Sequence, residues 1–392
     1  MATYYESPLD ISPTSTLCDK DHQEETIKAI CDSPRTLANI SQWFQRRRSS
    51  TKTRSNESTP STTSSAASSP TTRVTHPLLA KDMSRVVMRR PQGYTRQTYG
   101  HPLRNLGAGT NGVVALHQRS EDGLKVAVKR LIPPKSALRF TDRAQRYMRQ
   151  VITEANLTRT FQHRNIIATY DVLQEADGVF YTVMDYCPLD LFTLIQTSNP
   201  SQAEIDCYFA QIVHGLNYLH SQQRVAHRDL KLDNVCITHS GTAKLIDFGC
   251  ATTSNPKYDP QQRSPAIIAT GSCGSDTYMA PELFSHNIYD ARKVDVWALA
   301  VIYIAMCTKH FPWDRATMDD SNFTIFTKHP DHILERMLPS QTAATPLLRR
   351  MLMLNPSERP SITTIMMHPW FRSIDVCKVS DCNSHTHTVP LC

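Results

Sequence analysis

His227-Arg228-Asp229-Leu230-Lys231-Leu232-Asp233-Asn234 crowds six polar side chains into eight residues, and its reading decides the fold. Asp229 is a carboxylate able to accept the hydrogen bond, and then the proton, of a substrate hydroxyl. Lys231, two residues on, is a cation within reach of a negatively charged group in transfer. Asn234 offers an amide oxygen to a hard divalent cation such as magnesium. A mixed-charge surface loop would account for any one of these residues. It does not account for the eight together, flanked in order by the partners such chemistry requires.

On the C-terminal side, Val235-Cys236-Ile237 and Lys244-Leu245-Ile246 read as strands around a turn at Ser240-Gly241. The second strand runs into Asp247-Phe248-Gly249, whose Asp247 is a further candidate carboxylate for a metal. On the N-terminal side, Ile205, Phe209, Ile212, Leu216 and Leu219 share one face of a helix expected over Gln202–Gln222. Phe180–Met184 reads as a strand. Further back, Leu106-Gly107-Ala108-Gly109-Thr110-Asn111-Gly112-Val113-Val114 spaces its glycines as G-x-G-x-x-G-x-V, so that backbone amides can approach a phosphate without a side chain in the way. That glycine pattern also fits a dinucleotide-binding fold, but no strand–helix–strand unit comes after it. The chain continues instead into Val126-Ala127-Val128-Lys129, alternating like a strand. A helix over Arg143–Phe161 then carries Glu154, a counter-charge for Lys129 rather than a solvated surface group.

Residues 99–372 with these motifs resemble the eukaryotic protein kinases. The resemblance implies an α+β, bilobal fold: a small β-rich N-lobe (99–184), a hinge (185–187) and a larger, mainly helical C-lobe (188–372). It implies ATP and Mg2+ as cofactors. The ATP site would comprise Leu106, Gly107, Ala108, Gly109, Thr110, Asn111, Gly112, Val113, Val114, Ala127, Lys129, Glu154, Met184 as gatekeeper, and Asp185 and Cys187 of the hinge. Asp229, Lys231, Asn234 and Asp247 would be catalytic, with Asn234 and Asp247 holding the metal. Asp190 is a candidate contact for the ATP ribose or a basic substrate residue, and Asp233 for substrate arginines. The activation segment would run from Asp247 to Ala280-Pro281-Glu282, with Arg228 receiving a phosphate from it and Thr270 and Ser272 the nearest acceptors. Ser275 would steady Asp229 and Lys231, and with Lys231 it marks the serine/threonine type. Asp295 would brace the catalytic-loop backbone, and Arg359 would pair with Glu282. Cys250, next to Gly249, is expected to be an inert thiol.

A narrower resemblance joins Cys187-Pro188-Leu189-Asp190-Leu191-Phe192, Tyr289 to Ala300, Phe311-Pro312-Trp313 and the tail to the fungal halotolerance and nitrogen-permease-reactivator kinases. It implies signalling that regulates plasma-membrane transporters and ion or nutrient homeostasis. Thr277 departs from that family's usual proline. The alternative, a pseudokinase-like ATP-binding scaffold, should lack Lys129, Asp229 or Asp247, and all three are present. A lipid or small-molecule kinase would not need Ser275 or the Ala280-Pro281-Glu282 segment.

Composition sets the surroundings. Eleven cysteines without paired spacing, and no signal-peptide pattern, favour reduced thiols and a cytoplasmic, or membrane-peripheral, location. The apolar run Val294–Cys307 is broken by Asp295 and falls short of a membrane span. Residues 1–45 carry 3 basic and 7 acidic side chains and residues 46–96 carry 11 and 2, whereas residues 99–392 are nearly balanced at 29 and 27. The excess positive charge therefore sits in segment 46–96, a candidate contact for an anionic membrane; nucleic acid is not expected as a partner. Sixteen of the 24 residues from Ser49 to Thr72 are Ser or Thr, too few apolar groups to offset ordering entropy. Residues 1–98 are thus expected to be a disordered regulatory region, apart from a short amphipathic helix at Thr36–Arg47. Ser7-Pro8, Ser12-Pro13, Ser33-Pro34, Thr59-Pro60 and Ser69-Pro70 offer sites to upstream kinases, and protein Ser/Thr hydroxyls are the expected substrates. The tail, 373–392, holds Cys377, Cys382, His385, His387 and Cys392 at spacings that match no standard zinc pattern, so metal binding there is the lesser reading.

Overall fold

Period-two alternation of apolar residues builds the first lobe. The computed structural model describes residues 87–109, 112–131, 141–253, 266–338, 343–377 and 385–387, all within one compact unit, 71–392. Strands β1 (Met88–Arg90), β2 (Arg104–Gly109), β3 (Gly112–Gln118), β4 (Lys125–Leu131), β5 (Thr169–Glu175) and β6 (Phe180–Asp185) form one sheet in the order β1-β5-β6-β4-β3-β2. Val126 and Val128 of β4 pack with Leu173, Val183 and Tyr99 on one face. Helix α1 (Tyr94–Tyr99) supplies Tyr99 to that cluster, and helix α2 (Thr141–Thr160) joins the sheet through Val151, which packs on Leu131 and Phe180.

The described residues include a strand and a helix ahead of the boundary at Tyr99 expected from sequence. β1 runs parallel to β5, with Met88 opposite Leu173, and the buried carboxylate of Glu175 accepts hydrogen bonds from the backbone N–H of Gly93 (2.9 Å) and Thr95 (2.8 Å). These contacts span about eighty residues, so local patterning holds no trace of them. The basic segment up to residue 86, the phosphorylation candidates and the Thr36–Arg47 helix lie outside the described residues.

The second lobe is mainly helical, so the α+β, two-part architecture agrees with expectation. Strand β7 (Leu189–Asp190) leads into α3 (Leu191–Thr197), and α4 (Gln202–Asn217) follows, opened by Ser201, whose hydroxyl accepts from Glu204 N. The helix expected to reach Gln222 continues past Asn217 as a π-helical turn over Tyr218–Gln223 and stops where Arg224 adopts a left-handed conformation. Short strands β8 (Val225–Ala226), β9 (Val235–Ile237), β10 (Ala243–Leu245), β11 (Thr252–Thr253), β12 (Ile268–Thr270) and β13 (Ile288–Asp290) frame the loops between them. Helix α5 (Glu282–Ser285) precedes α6 (Ala291–Thr308), which is apolar on nearly every side and is buried from Val294 to Met306. Among the described residues, no helix is long and apolar enough to cross a membrane.

One cysteine expectation is corrected. Cys250 and Cys273 form a disulfide, their Cα atoms 6.2 Å apart, whereas Cys187, Cys207, Cys236, Cys307 and Cys377 are free thiols. The 23-residue separation hid the pair in sequence; the fold brings both ends of this segment within disulfide reach.

Candidate active site

The catalytic-loop stretch lies between β8 and β9, and its shape is imposed from beneath. Asp295, on buried α6, is fully buried. Its Oδ2 accepts from His227 N (2.8 Å) and its Oδ1 from Arg228 N (2.7 Å). His220 Nε2 lies 2.8 Å from the same Oδ2, a partner with no local sequence signal. His227 is buried, bonded through Nε2 to Ile246 O (2.9 Å) and packed on the Phe248 ring, which also meets Phe161. Arg228 and Asp247 are non-glycine residues at φ 67° and 61°, a left-handed conformation uncommon for residues with a side chain.

With the backbone held, the polar side chains converge. Lys231 Nζ donates to Asp229 Oδ2 (2.9 Å) and to Ser275 Oγ (2.9 Å), while Ser275 Oγ donates to Asp229 Oδ1 (3.3 Å). Asn234 Nδ2 donates to Asp229 O (2.7 Å) and Oδ2 (3.1 Å). Because the amide nitrogen is committed to Asp229, the amide oxygen is the Asn234 atom suited to a metal. With Asp247 it makes an all-oxygen donor set, the kind magnesium takes.

Across the sheet, β2 and β3 form the glycine hairpin, with Gly107 opposite Val114 and Gly109 opposite Gly112. A Cβ on Gly112 would lie 2.2 Å from Arg130 O, so only glycine permits this approach of β3 to β4. Gly107 has nothing within 4 Å of where its Cβ would be, which leaves the hairpin backbone open to a ligand. Thr110 and Asn111 lie outside the described residues. Lys129 is opposite Val114 on β3 and Thr182 on β6, and Ala127 is opposite Met184. Lys129 Nζ is 3.2 Å from Glu154 Oε1 of α2. Burial disfavours the lysine charge, but Glu154 and Asp247 outweigh it, and the Lys129 pKa is raised. The field of Asp247 therefore reaches Lys129, linking residues 118 positions apart.

At the hinge, Asp185 accepts from Ala168 N (3.2 Å), hydrogen-bonds Tyr170 Oη and pairs with Lys244 (3.1 Å). Cys187 Sγ is 2.8 Å from Cys236 Sγ. Asp190 caps α3, accepting from Thr193 N (2.7 Å) and Thr193 Oγ1 (3.0 Å). Burial, partly offset by these bonds and reinforced by the nearby charge of Asp233, raises the Asp190 pKa. Capping was not anticipated from sequence.

The segment after Asp247 returns to the loop through Arg228. Its guanidinium donates to Thr270 O (3.2 Å), Gly271 O (2.7 Å), Cys250 O (3.3 Å) and Tyr289 Oη (2.5 Å). Below, buried Arg359 grips Glu282 bidentately (2.6 and 2.8 Å), the pairing expected, and its guanidinium also lies over the Trp297 ring.

The chain is similar in sequence to known proteins. The chain is 37% identical over 294 residues to the probable serine/threonine-protein kinase RTK1 of Saccharomyces cerevisiae, covering 72% of this chain and 46% of that protein. It is 35% identical over 317 residues to the nitrogen permease reactivator protein of the same yeast, covering 70% and 39%. A match at 34% over 238 residues to the serine/threonine-protein kinase HAL4/SAT4, also of that yeast, covers 59% and 38%. The chain thus spans less than half the length of these relatives. Residues 101–371 match the family model described as the protein kinase domain; they hold the glycine hairpin, the Lys129–Glu154 pair and the Asp229 cluster, and the chain belongs to the protein kinase family.

Proposed function

We propose that this chain is a serine/threonine protein kinase that transfers the γ-phosphoryl group of Mg-ATP to protein hydroxyls. The carrying observation is the triangle of Asp229, Lys231 and Ser275, joined to Asn234 and accompanied by a closed Lys129–Glu154 pair. Asp229 orients the incoming hydroxyl and takes up its proton. Lys231, held between Asp229 and Ser275, sets positive charge where the transferred group gains negative charge. Lys129, fixed by Glu154, and the backbone amides of the glycine-rich stretch 106–114, Thr110 and Asn111 among them, bind the phosphates. Ala127, Val114, Met184, Asp185 and Cys187 enclose the adenine. Asn234 and Asp247 would hold magnesium, which when bound neutralises charge on the phosphate oxygens. Asp233, whose charge reaches Asp190, favours a basic residue in the substrate.

The domain assignment we propose is a regulatory region 1–98, whose residues from Met88 pair with the N-lobe sheet, N-lobe 99–184, hinge 185–187, C-lobe 188–372 and tail 373–392. The name of one relative speaks of reactivating a nitrogen permease; by analogy we place this kinase in cytoplasmic signalling upstream of plasma-membrane transporters. Upstream kinases would act on the N-terminal region or the activation segment, and segment 46–96 would touch anionic membrane.

The test is transfer of labelled phosphate from Mg-ATP to a basic Ser/Thr protein by the purified chain, with Asp229→Ala alongside. Magnesium-dependent incorporation that the substitution abolishes is expected. Absence of transfer by the wild-type chain would restore the scaffold reading.

A further inference from the structure

A second cluster of reactive side chains lies away from the active site. Cys207 of α4 meets Cys377, His385 and His387 of the tail, with one donor atom from each residue all within 4.8 Å of one another. His387 Nε2 is 3.0 Å from Cys377 Sγ and 3.8 Å from Cys207 Sγ, and His385 Nε2 is 3.4 Å from Cys377 Sγ. In a tetrahedral zinc site, with bonds of about 2.3 Å to sulfur and about 2.0 Å to nitrogen, sulfur and nitrogen stand roughly 3.6 Å apart. The three sulfur–nitrogen distances bracket that value.

The surroundings are built for this convergence. Cys207 is fully buried, and the other three donors are half-buried. His387 lies over Gly241 so closely that a Cβ there would come within 2.3 Å of its ring, so the β9–β10 turn admits the tail only because residue 241 is glycine. Tyr208 flanks the same ring, with centroids 4.8 Å apart. With Nε2 directed at the sulfurs, His387 Nδ1 faces Glu204 Oε1 at 3.7 Å, and that buried carboxylate is held by Tyr208 Oη at 3.0 Å. A carboxylate behind the distal nitrogen of a ligating histidine is the usual means of fixing its tautomer and orientation.

We infer that Cys207, Cys377, His385 and His387 bind a structural zinc ion that staples the C-terminal tail to α4. Two thiolates with two imidazoles favour zinc over the hard cations that the active site suits. Four protein donors fill a tetrahedron and leave no open position for catalysis. The sequence singled out Cys377, His385 and His387 but not Cys207, which stands 170 residues before Cys377, outside any finger-like spacing.

The test is elemental analysis of the full chain purified from zinc-supplemented cells without chelator. Stoichiometric zinc is expected, with Cys377→Ser and His387→Ala each weakening retention by more than about tenfold. Cys382→Ser and Cys392→Ser should retain the metal. Cobalt substituted for zinc should give a thiolate charge-transfer band in the wild type, which reads the ligand set even if a variant fails to fold. A zinc-free wild type, zinc that survives Cys377→Ser and His387→Ala, or a cobalt spectrum without thiolate character would overturn the inference. None of these readouts depends on kinase activity.

Discussion

Replacing Asp295 by Ala should uncouple the catalytic loop from the C-lobe core. The carboxylate, fully buried, satisfies the backbone N–H groups of His227 and Arg228 and the ring of His220. Alanine reaches none of them, and the cavity is walled by α6. Each orphaned buried donor costs about 1–3 kcal/mol, so the two amides alone predict a loss of about 2–6 kcal/mol. That is a large share of the about 5–15 kcal/mol that holds a typical domain together. Thermal unfolding by calorimetry should show a drop of several degrees, since about 1 kcal/mol moves a domain of this size by roughly 2 °C. If the loop escapes the penalty by shifting its amides toward water, the cost appears in catalysis instead. Asp229 then leaves its place beside Lys231 and Ser275, and kcat falls by tenfold for each ~1.4 kcal/mol of lost alignment. The KM for ATP should change little, because Lys129 and the hairpin belong to the other lobe. Asp295→Asn should fall between the two, keeping one acceptor and turning an amide N–H₂ toward a second N–H. An Asp295→Ala protein with wild-type melting temperature and wild-type kcat would refute the reasoning, because the loop would then owe its shape to something other than this carboxylate.

Glu154→Gln should raise the KM for ATP by about tenfold with little loss of fold, measured by ATP titration, since it frees half-buried Lys129 to reorient. The Lys129 pKa is raised in the folded state, so the stabilisation from its ion pairs is fully present below the ordinary lysine value of about 10.4 and is lost only as pH rises through the folded value; a pH–rate profile should show no limb from this group near neutrality. Glu282→Gln leaves the buried Arg359 guanidinium without a counter-charge and should cost about 3–5 kcal/mol by denaturant unfolding. Cys250→Ser opens a loop whose closure is worth about 3 kcal/mol, so its melting temperature should fall below wild type without reductant and match it with reductant.

Much of the candidate site was legible in the sequence because its polar residues are closely spaced. Asp229, Lys231 and Asn234 fall in one loop, whose hydrogen bonds join them. Gly107, Gly109 and Gly112 share one hairpin, and at 112 the 2.2 Å approach of a Cβ to Arg130 O requires glycine. The pairings of Lys129 with Glu154 and of Glu282 with Arg359 were legible too, because the motifs that carry them supplied the partners. Asp190 shows the limit. Its carboxylate was available in sequence to any ligand, and only the start of α3 beside it turned it into a helix cap.

The sequence by itself determined the family, the lobes and the identity of the polar residues around Asp229, since local spacing and alternation encode which side chains a strand, turn or loop presents together. Only the tertiary structure decided that His220 joins Asp295, that Glu175 anchors the strand and helix before residue 100, that Cys250 pairs with Cys273, and that Cys207 meets the tail. In each case the partners are brought together by how distant helices and strands bury their apolar faces, and packing of that kind leaves no periodic mark at either end of the contact.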